Sequence, residues 1–240
     1  MKYELDHCKS LLKERKLILI CDLDETLISA IYLNDNYLNS NFHKSIVIAS
    51  TGKQVKSNHV YIKLRPHLTD FLEKMGNIFE LHLMSMGTAS HVKQCVEVID
   101  PTKKYFGNRI TSRENIVDYN KAKATEEMFP GCSNIIICLD DNMDTWNYSP
   151  TLVSIKPFNY FVPMTKDLHF FAMATKEKIK VFIDSYLDIL ELCLKDNILL
   201  SLQSVLEEFH DNFFKILDEE NSNETRNLFP KIKDIMSKKK

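Results

Sequence analysis

Five short apolar runs recur along the first two thirds of the chain: KLILICDL, YIKLR, IFELHLMS, NIIICLDD and LVSIKPF. Their length and β-branched content predict strands, and between them HLTDFLEKMG and TASHVKQCVEVID repeat apolar residues at helical intervals, the first closing at Gly76 and the second at Asp100-Pro101. Strand and helix in alternation predict an α/β fold, a mostly parallel sheet flanked by helices. All 5 glycines lie between Gly52 and Gly131, so the turn-rich part of the fold is expected there. The glycine-free last third reads as helix alone. Ile198, Leu202, Val205, Leu206, Phe209, Phe213, Ile216 and Leu217 step by three and four, and Ile179, Ile183, Tyr186 and Leu190 do the same ahead of them. The expected organisation is an N-terminal helix over 1–15, an α/β body over 16–165, a C-terminal helical hairpin extension over 166–220 packed on that body, and a polar, flexible tail over 221–240.

Lys and Arg total 31 against 33 Asp and Glu, a formal net charge of -2, so no global charge draws the chain to nucleic acid or to an anionic membrane. Neither direct nucleic-acid binding nor a membrane partner is expected. The six cysteines (Cys8, Cys21, Cys95, Cys132, Cys138, Cys193) show no zinc-site spacing, and several sit inside apolar runs. They read as reduced core residues of a soluble intracellular protein. The N-terminus MKYELDHCKSLLKERK has no apolar h-region, and no stretch reaches the roughly 18 apolar residues of a membrane span.

In KLILICDLDETLIS, residues 16–29, a core-like run ends on Asp22 and Asp24. A parallel sheet binds ligands beyond the carboxyl ends of its strands, and NIIICLDD delivers Asp140 and Asp141 at a second such end. An acidic turn capping a helix through Asp24 or Thr26 is the simpler alternative for the first motif. Two acidic strand ends in one sheet instead make a carboxylate cluster, whose oxygen donors suit Mg²⁺ bridged to a substrate phosphate. That points to phosphoryl chemistry. An EF-hand over DDNMDTWNYSPT is excluded by Thr145 at the glycine position and Thr151 at the glutamate position, and no GxxxxGK[ST] loop occurs.

DLDET at 22–26 matches the DxDx[TV] signature of the haloacid dehalogenase superfamily. YIKLRPHLTDFLEKM, ELHLMSMGTASHVKQCVEVIDP, YFGNRITSRE, MFPGCSNIIICLDDNMDTW and LVSIKPFNYF, in this order over residues 16–164, resemble the blocks of Fcp-type phosphatases, which act on the phosphorylated C-terminal domain of RNA polymerase II. The resemblance implies a haloacid-dehalogenase-like, Rossmann-like sheet and a Mg²⁺-dependent serine/threonine phosphatase working through an aspartyl-phosphate. It implies that polymerase domain as substrate, general transcription factors as further partners, and a nuclear location. Position by position, Asp22 corresponds to the nucleophile, Asp24 to the general acid and base, and Thr26 to a buttress of the loop. Ser85 and Lys123 correspond to the groups that hold the phosphoryl oxygens, Lys121 standing two residues from Lys123. Asp22, Asp24 through its backbone carbonyl, and Asp141 correspond to the metal ligands, with Asp140 beside them orienting Lys123 or a bound water. Arg113 in TSRE and Arg65 in KLRPH correspond to substrate contacts, surface salt bridging being the alternative for each.

An acid that must first donate and then accept a proton implies an acidic pH optimum. The segment between the first two motifs, with Trp146, offers aromatics for a proline-containing peptide, core packing being the alternative. The family pattern has Thr where this chain has Ser85, Gly where it has His67 and Arg where it has Asn142, and its BRCT module does not appear before the chain ends. A catalytically silent binding relative and a general phosphatase on the same fold stay open, as does a recruiting role for the helical end.

Overall fold

The computed structural model describes residues 3, 5–32, 54–55, 60–161 and 191–219. A helix, α1 (Leu5–Lys13), leads into β1 (Leu17–Cys21), whose five residues are all buried. A strand apolar on both faces belongs at the centre of a parallel sheet, and β1 lies there. It pairs in parallel with β5 (Phe79–Met84) on one side and β7 (Ile136–Asp140) on the other. Two short parallel strands flank these, β6 (Ile110–Thr111) beside β5 and β8 (Leu152–Ser154) beside β7, giving the order β6-β5-β1-β7-β8.

The register fixes where the chemistry lies. Cys21 stands opposite both Leu83 and Leu139, so the residues that follow them (Asp22, Ser85 and the pair Asp140 and Asp141) gather at one sheet edge. The Asp22 N–H donates to Leu139 O at 2.9 Å, carrying the pairing one step past the strand.

YIKLR does form a strand, but outside this sheet. β4 (Val60–Leu64) is the centre of a separate three-stranded antiparallel sheet, between β2 (Ile28–Tyr32) and β3 (Gln54–Val55). The chain turns tightly at residues 24–28 before β2 begins, and β2 then pairs with β4 rather than with a strand of the main sheet.

The helices bury the faces their spacing predicts. α2 (Leu68–Ile78) buries Leu68, Phe71, Leu72 and Met75, and α3 (Ala89–Ile99) buries Val92, Cys95, Val96 and Ile99. Thr88 caps α3, its side chain accepting from the His91 N–H at 3.3 Å. α4 (Lys121–Met128) is capped likewise by Asn120, whose Oδ1 accepts from the Lys123 N–H at 2.9 Å. His67 precedes α2 at φ 65°, a left-handed position that glycine occupies without strain, which accounts physically for the glycine of the family pattern. Its ring bonds Asn197, so it sits apart from the acids.

The last helix, α5 (Ile198–Glu219), packs on α2 through a buried face that includes Leu202, Leu206, Phe209, Phe213 and Phe214. Arg15 fastens its far end: the guanidinium lies 4.6 Å from the Phe214 ring and bonds Asp218, while Arg15 O accepts from His210 Nε2 at 2.8 Å. The preceding helix expected over Ile179–Leu190 and the polar tail lie outside the described residues, as do 33–53 and 56–59 of the segment expected to wall a substrate groove. No helix among the described residues is long and apolar enough to cross a membrane.

Cysteine chemistry differs from expectation at one place. Cys8 and Cys132 are joined as a disulfide across 124 residues, tying α1 to the turn ahead of β7. Cys21, Cys95, Cys138 and Cys193 are free thiols.

Candidate active site

Leu23, the residue between the two signature acids, is wholly buried, and its carbonyl accepts from the N–H groups of Leu27 and Ile28 at 2.9 and 3.1 Å. This turn anchors an apolar side chain below the sheet edge and leaves Asp22 and Asp24 on the cleft side. Glu25 completes it at φ 59°, an uncommon conformation for a residue with a Cβ. Thr26, also wholly buried, closes the loop onto the second acidic strand end. Its Oγ1 donates to Asp141 Oδ1 at 3.1 Å and accepts from the Asp141 N–H at 3.2 Å.

A cleft of about 360 Å³ opens above these residues, lined among others by Asp22, Asp24, Ser85, Lys121, Asp141 and Asn142. A larger cavity of about 690 Å³, lined by Tyr3, Asn108, Arg109 and Met128 among others, brings no group of carboxylates together. Size therefore does not mark the chemistry; the cluster of acids does.

The lysine in the cleft is Lys121, not Lys123. Lys121 Nζ lies 2.6 Å from Asp22 Oδ1 and 2.5 Å from Asp140 Oδ2, wholly buried. Lys123 is exposed and pairs with Asp118 at 3.0 Å. Helix phase is the reason: two residues turn about 200° around an α-helix, so the lysines face opposite ways. The buried face of α4 is Lys121, Ala124, Thr125 and Met128, a stripe at i, i+3, i+4 and i+7.

Asp140 is fully engaged. Besides Lys121 it accepts from Trp146 Nε1 at 2.6 Å and from the Asn142 N–H at 2.8 Å. Trp146, a candidate for proline contact, is thus a buried partner of Asp140 and not a peptide platform. Arg65, expected at substrate, is also taken up in the fold. Its guanidinium donates to Thr26 O at 2.9 Å, Lys156 O at 2.7 Å and both oxygens of Asp196 at 3.2 and 2.9 Å, with no side-chain exposure. It ties the signature loop to the segment entering α5. Removing one partner of a buried pair costs about 3–5 kcal/mol, so Arg65→Met is expected to lose that much stability in urea unfolding. An unchanged midpoint with weakened substrate binding would return Arg65 to the substrate role. Arg113 is exposed, its N–H bonded to Gly87 O at the edge of the cleft.

Ser85 is buried at the end of β5, its Oγ accepting from the Gly87 N–H at 2.9 Å. Its own proton has no acceptor among the described residues, which leaves the hydroxyl able to donate into the cleft. His91, absent from the sequence expectations, places Nε2 2.8 and 2.9 Å from the two carboxylate oxygens of Asp24.

Burial pushes the Asp22 carboxyl up to about 7, with Lys121 pulling it back and Asp140 adding to the rise. Burial alone would lower Lys121, but Asp22 and Asp140 outweigh it and hold the ammonium above its usual range. Contacts of 2.5–2.6 Å are those of an ammonium between carboxylates, so Lys121 is charged here. Burial, then Asp140, likewise raises Asp141. Asp22, Asp140 and Asp141 offer oxygens within 4.8 Å of one another, with Lys121 as the buried cation among them. Three acids against one cation leave an excess of negative charge, and an all-oxygen donor set fits a hard divalent ion.

The family model for NLI interacting factor-like phosphatases matches residues 17–180. An RNA polymerase II C-terminal domain phosphatase of Caenorhabditis elegans is 30% identical over 218 residues, 90% of this chain and 31% of that protein. The human protein of the same name is 34% identical over 151 residues, 62% of this chain and 15% of its own length. The chain therefore spans a third or less of these relatives. A solved structure of Fcp1, an essential RNA polymerase II CTD phosphatase, superposes with a TM-score of 0.68 at 22% identity, covering 95% of this chain and 72% of that one, so the fold is shared. A fission yeast Fcp1 variant bound to beryllium fluoride gives a TM-score of 0.52 at 25% identity, over 97% of this chain and 65% of that one. With the sheet order and the signature loop, these likenesses make the chain a member of the NLI interacting factor-like phosphatase family, built on a haloacid-dehalogenase-like fold.

Proposed function

We propose that the chain is a Mg²⁺-dependent phosphoprotein phosphatase that transfers the phosphoryl group of phosphoserine or phosphothreonine to Asp22 and then to water. The observation that carries this reading is the buried contact of Asp22 with Lys121 at the carboxyl edge of the sheet, beside Ser85 and Asp141. Phosphoryl transfer needs alignment and charge neutralisation more than reactive groups.

Lys121 would neutralise phosphoryl oxygens beside the nucleophile, and the Ser85 hydroxyl would donate to another. Asp22 Oδ attacks phosphorus as the bond to the seryl oxygen breaks; Asp24 gives its proton to that oxygen. In the second half Asp24 takes a proton from water, which attacks phosphorus and frees Asp22. Asp22, Asp141 and the Asp24 backbone carbonyl would hold the divalent ion, while Asp140, bonded by Lys121, Trp146 and Asn142, would fix the lysine. When bound, the ion supplies Lewis-acid polarisation of a phosphoryl oxygen.

The substrate we assign is the phosphorylated C-terminal repeat domain of RNA polymerase II, which also implies a nuclear site of action. Support comes from the names of the relatives, all matched over a fraction of their length. The test is phosphate release from phosphoserine-proline repeat peptides. Release is expected with Mg²⁺, loss to background with EDTA, and recovery on adding Mg²⁺ back. Undiminished release in EDTA would contradict the metal requirement. Equal rates on unrelated phosphopeptides would replace the polymerase substrate with a general one.

A further inference from the structure

We propose that His91 positions the Asp24 carboxyl for proton donation to the leaving oxygen, an inference that rests on the acid–base reading of Asp24 given above. Asp24 is the one signature acid that the buried lysine does not reach; Lys121 is bonded to Asp22 and Asp140. Its side chain keeps 38% exposure. A half-exposed carboxyl can rotate among several conformers, and misplacing a reacting group by about 1 Å can cost roughly 10²-fold in rate. Among the described residues, His91 is the side chain that bonds the Asp24 carboxyl, at 2.8 and 2.9 Å. Proton donation by Asp24 uses its acid form, in which an Nε2–H tautomer of His91 donates to one carboxyl oxygen while the other carries the transferable proton.

The imidazole is itself fixed from three sides. Thr88 caps the helix turn that carries it. Cys95, wholly buried one turn on, places Sγ 3.7 Å from the ring nitrogens. On the third side stands Gly87, where an added Cβ would come within 2.7 Å of His91 Cδ2 and 3.1 Å of Ser85 Oγ. The ring fills the space a side chain at position 87 would take. It is also mostly buried, with 12% side-chain exposure, so the carboxyl it anchors is referenced to the core.

With one N–H shared by both oxygens, a small rotation about Cβ–Cγ keeps one oxygen anchored and turns the other to the cleft. In the transfer step the bond from phosphorus to the seryl oxygen breaks, its electron pair stays on that oxygen, and the Asp24 proton joins it. The His91 hydrogen is not transferred, so His91 acts through Asp24.

The test uses kcat/KM, which reports steps up to departure of the leaving group and leaves out the later attack of water. The substrates are a phosphoserine peptide, phenyl phosphate and p-nitrophenyl phosphate, with the full chain and His91→Phe, His91→Gln and Asp22→Asn. General acid catalysis is worth about 10²–10⁴-fold. His91→Phe is expected to lose roughly 10- to 100-fold of it on the peptide and on phenyl phosphate, whose leaving groups need a proton, and under about threefold on p-nitrophenyl phosphate, whose leaving group does not. His91→Gln, with an amide N–H near the Nε2 position, should recover most of the loss. If the phenylalanine variant does not fold, His91→Asn, too short to reach Asp24, must show the same dependence on leaving group. Equal losses on all three substrates, or none, would overturn the positioning role. Turnover by Asp22→Asn would instead overturn the underlying nucleophile reading, whatever the histidine variants do.

Discussion

Asp22→Asn is expected to lower steady-state phosphate release at least about 10⁴-fold, the scale on which removal of a covalent nucleophile acts, while the protein stays folded. The two halves of that expectation have different causes. An amide oxygen carries no charge to attack phosphorus, and no other carboxylate can take over its place. Asp140 accepts from three donors, Asp24 bonds His91 and Asp141 is held by Thr26. The fold survives because the amide carbonyl still accepts from Lys121, while removing one of three crowded acids relieves their repulsion. Thermal unfolding beside phosphate release checks both halves. A folded variant that still turns over would displace Asp22 from the chemistry.

Lys121→Met has the second largest expected effect and is paired with Lys123→Met. Loss of one preorganised donor to developing charge typically costs about 10²–10³-fold in kcat, and Lys121→Met should fall in or beyond that range. It should also unfold more readily, because Asp22 and Asp140 are left facing each other in a buried site; breaking such a pair costs about 3–5 kcal/mol before protonation offsets part of it. Lys123→Met should match the parent in both assays, since it removes only a solvent-screened, exposed pair with Asp118. The opposite pattern, with Lys123 essential and Lys121 dispensable, would mean that α4 is rotated relative to the sheet in the working enzyme.

That pair of lysines shows what the sequence made legible and where it stopped. LILIC reads as a central strand because it is apolar on both faces, and a parallel sheet then dictates that Asp22 and the Asp140–Asp141 pair share an edge. Ser85 follows from the same rule at the end of β5. The choice between the lysines is legible too, through the phase of Ala124 and Met128, whereas block correspondence alone favours Lys123, which the structure places outside the cleft. By contrast, nothing local to KLRPH reveals that Arg65 meets Asp196, 131 residues away, or that Trp146 closes on Asp140. His91 escaped for the same reason: its partner Asp24 lies 67 residues upstream, and one histidine near a helix start carries no periodic signal.

The sheet itself was legible in kind and incomplete in membership. Alternation finds strands, yet it does not say that β4 pairs antiparallel in a second sheet, and β3 and β6 are too short to show a period of two. The Cys8–Cys132 bridge spans 124 residues and leaves no spacing pattern to read.

Trapping the phosphorylated protein tests the central assignment most directly. The full chain would be mixed with a phosphopeptide carrying labelled phosphate, quenched in acid within a single turnover, digested, and the labelled segment identified with and without hydroxylamine. The account predicts label on the segment containing Asp22, released by hydroxylamine as an acyl phosphate must be, and no label on Asp22→Asn. Label on another residue, or full turnover with no labelled protein at any time, would contradict it.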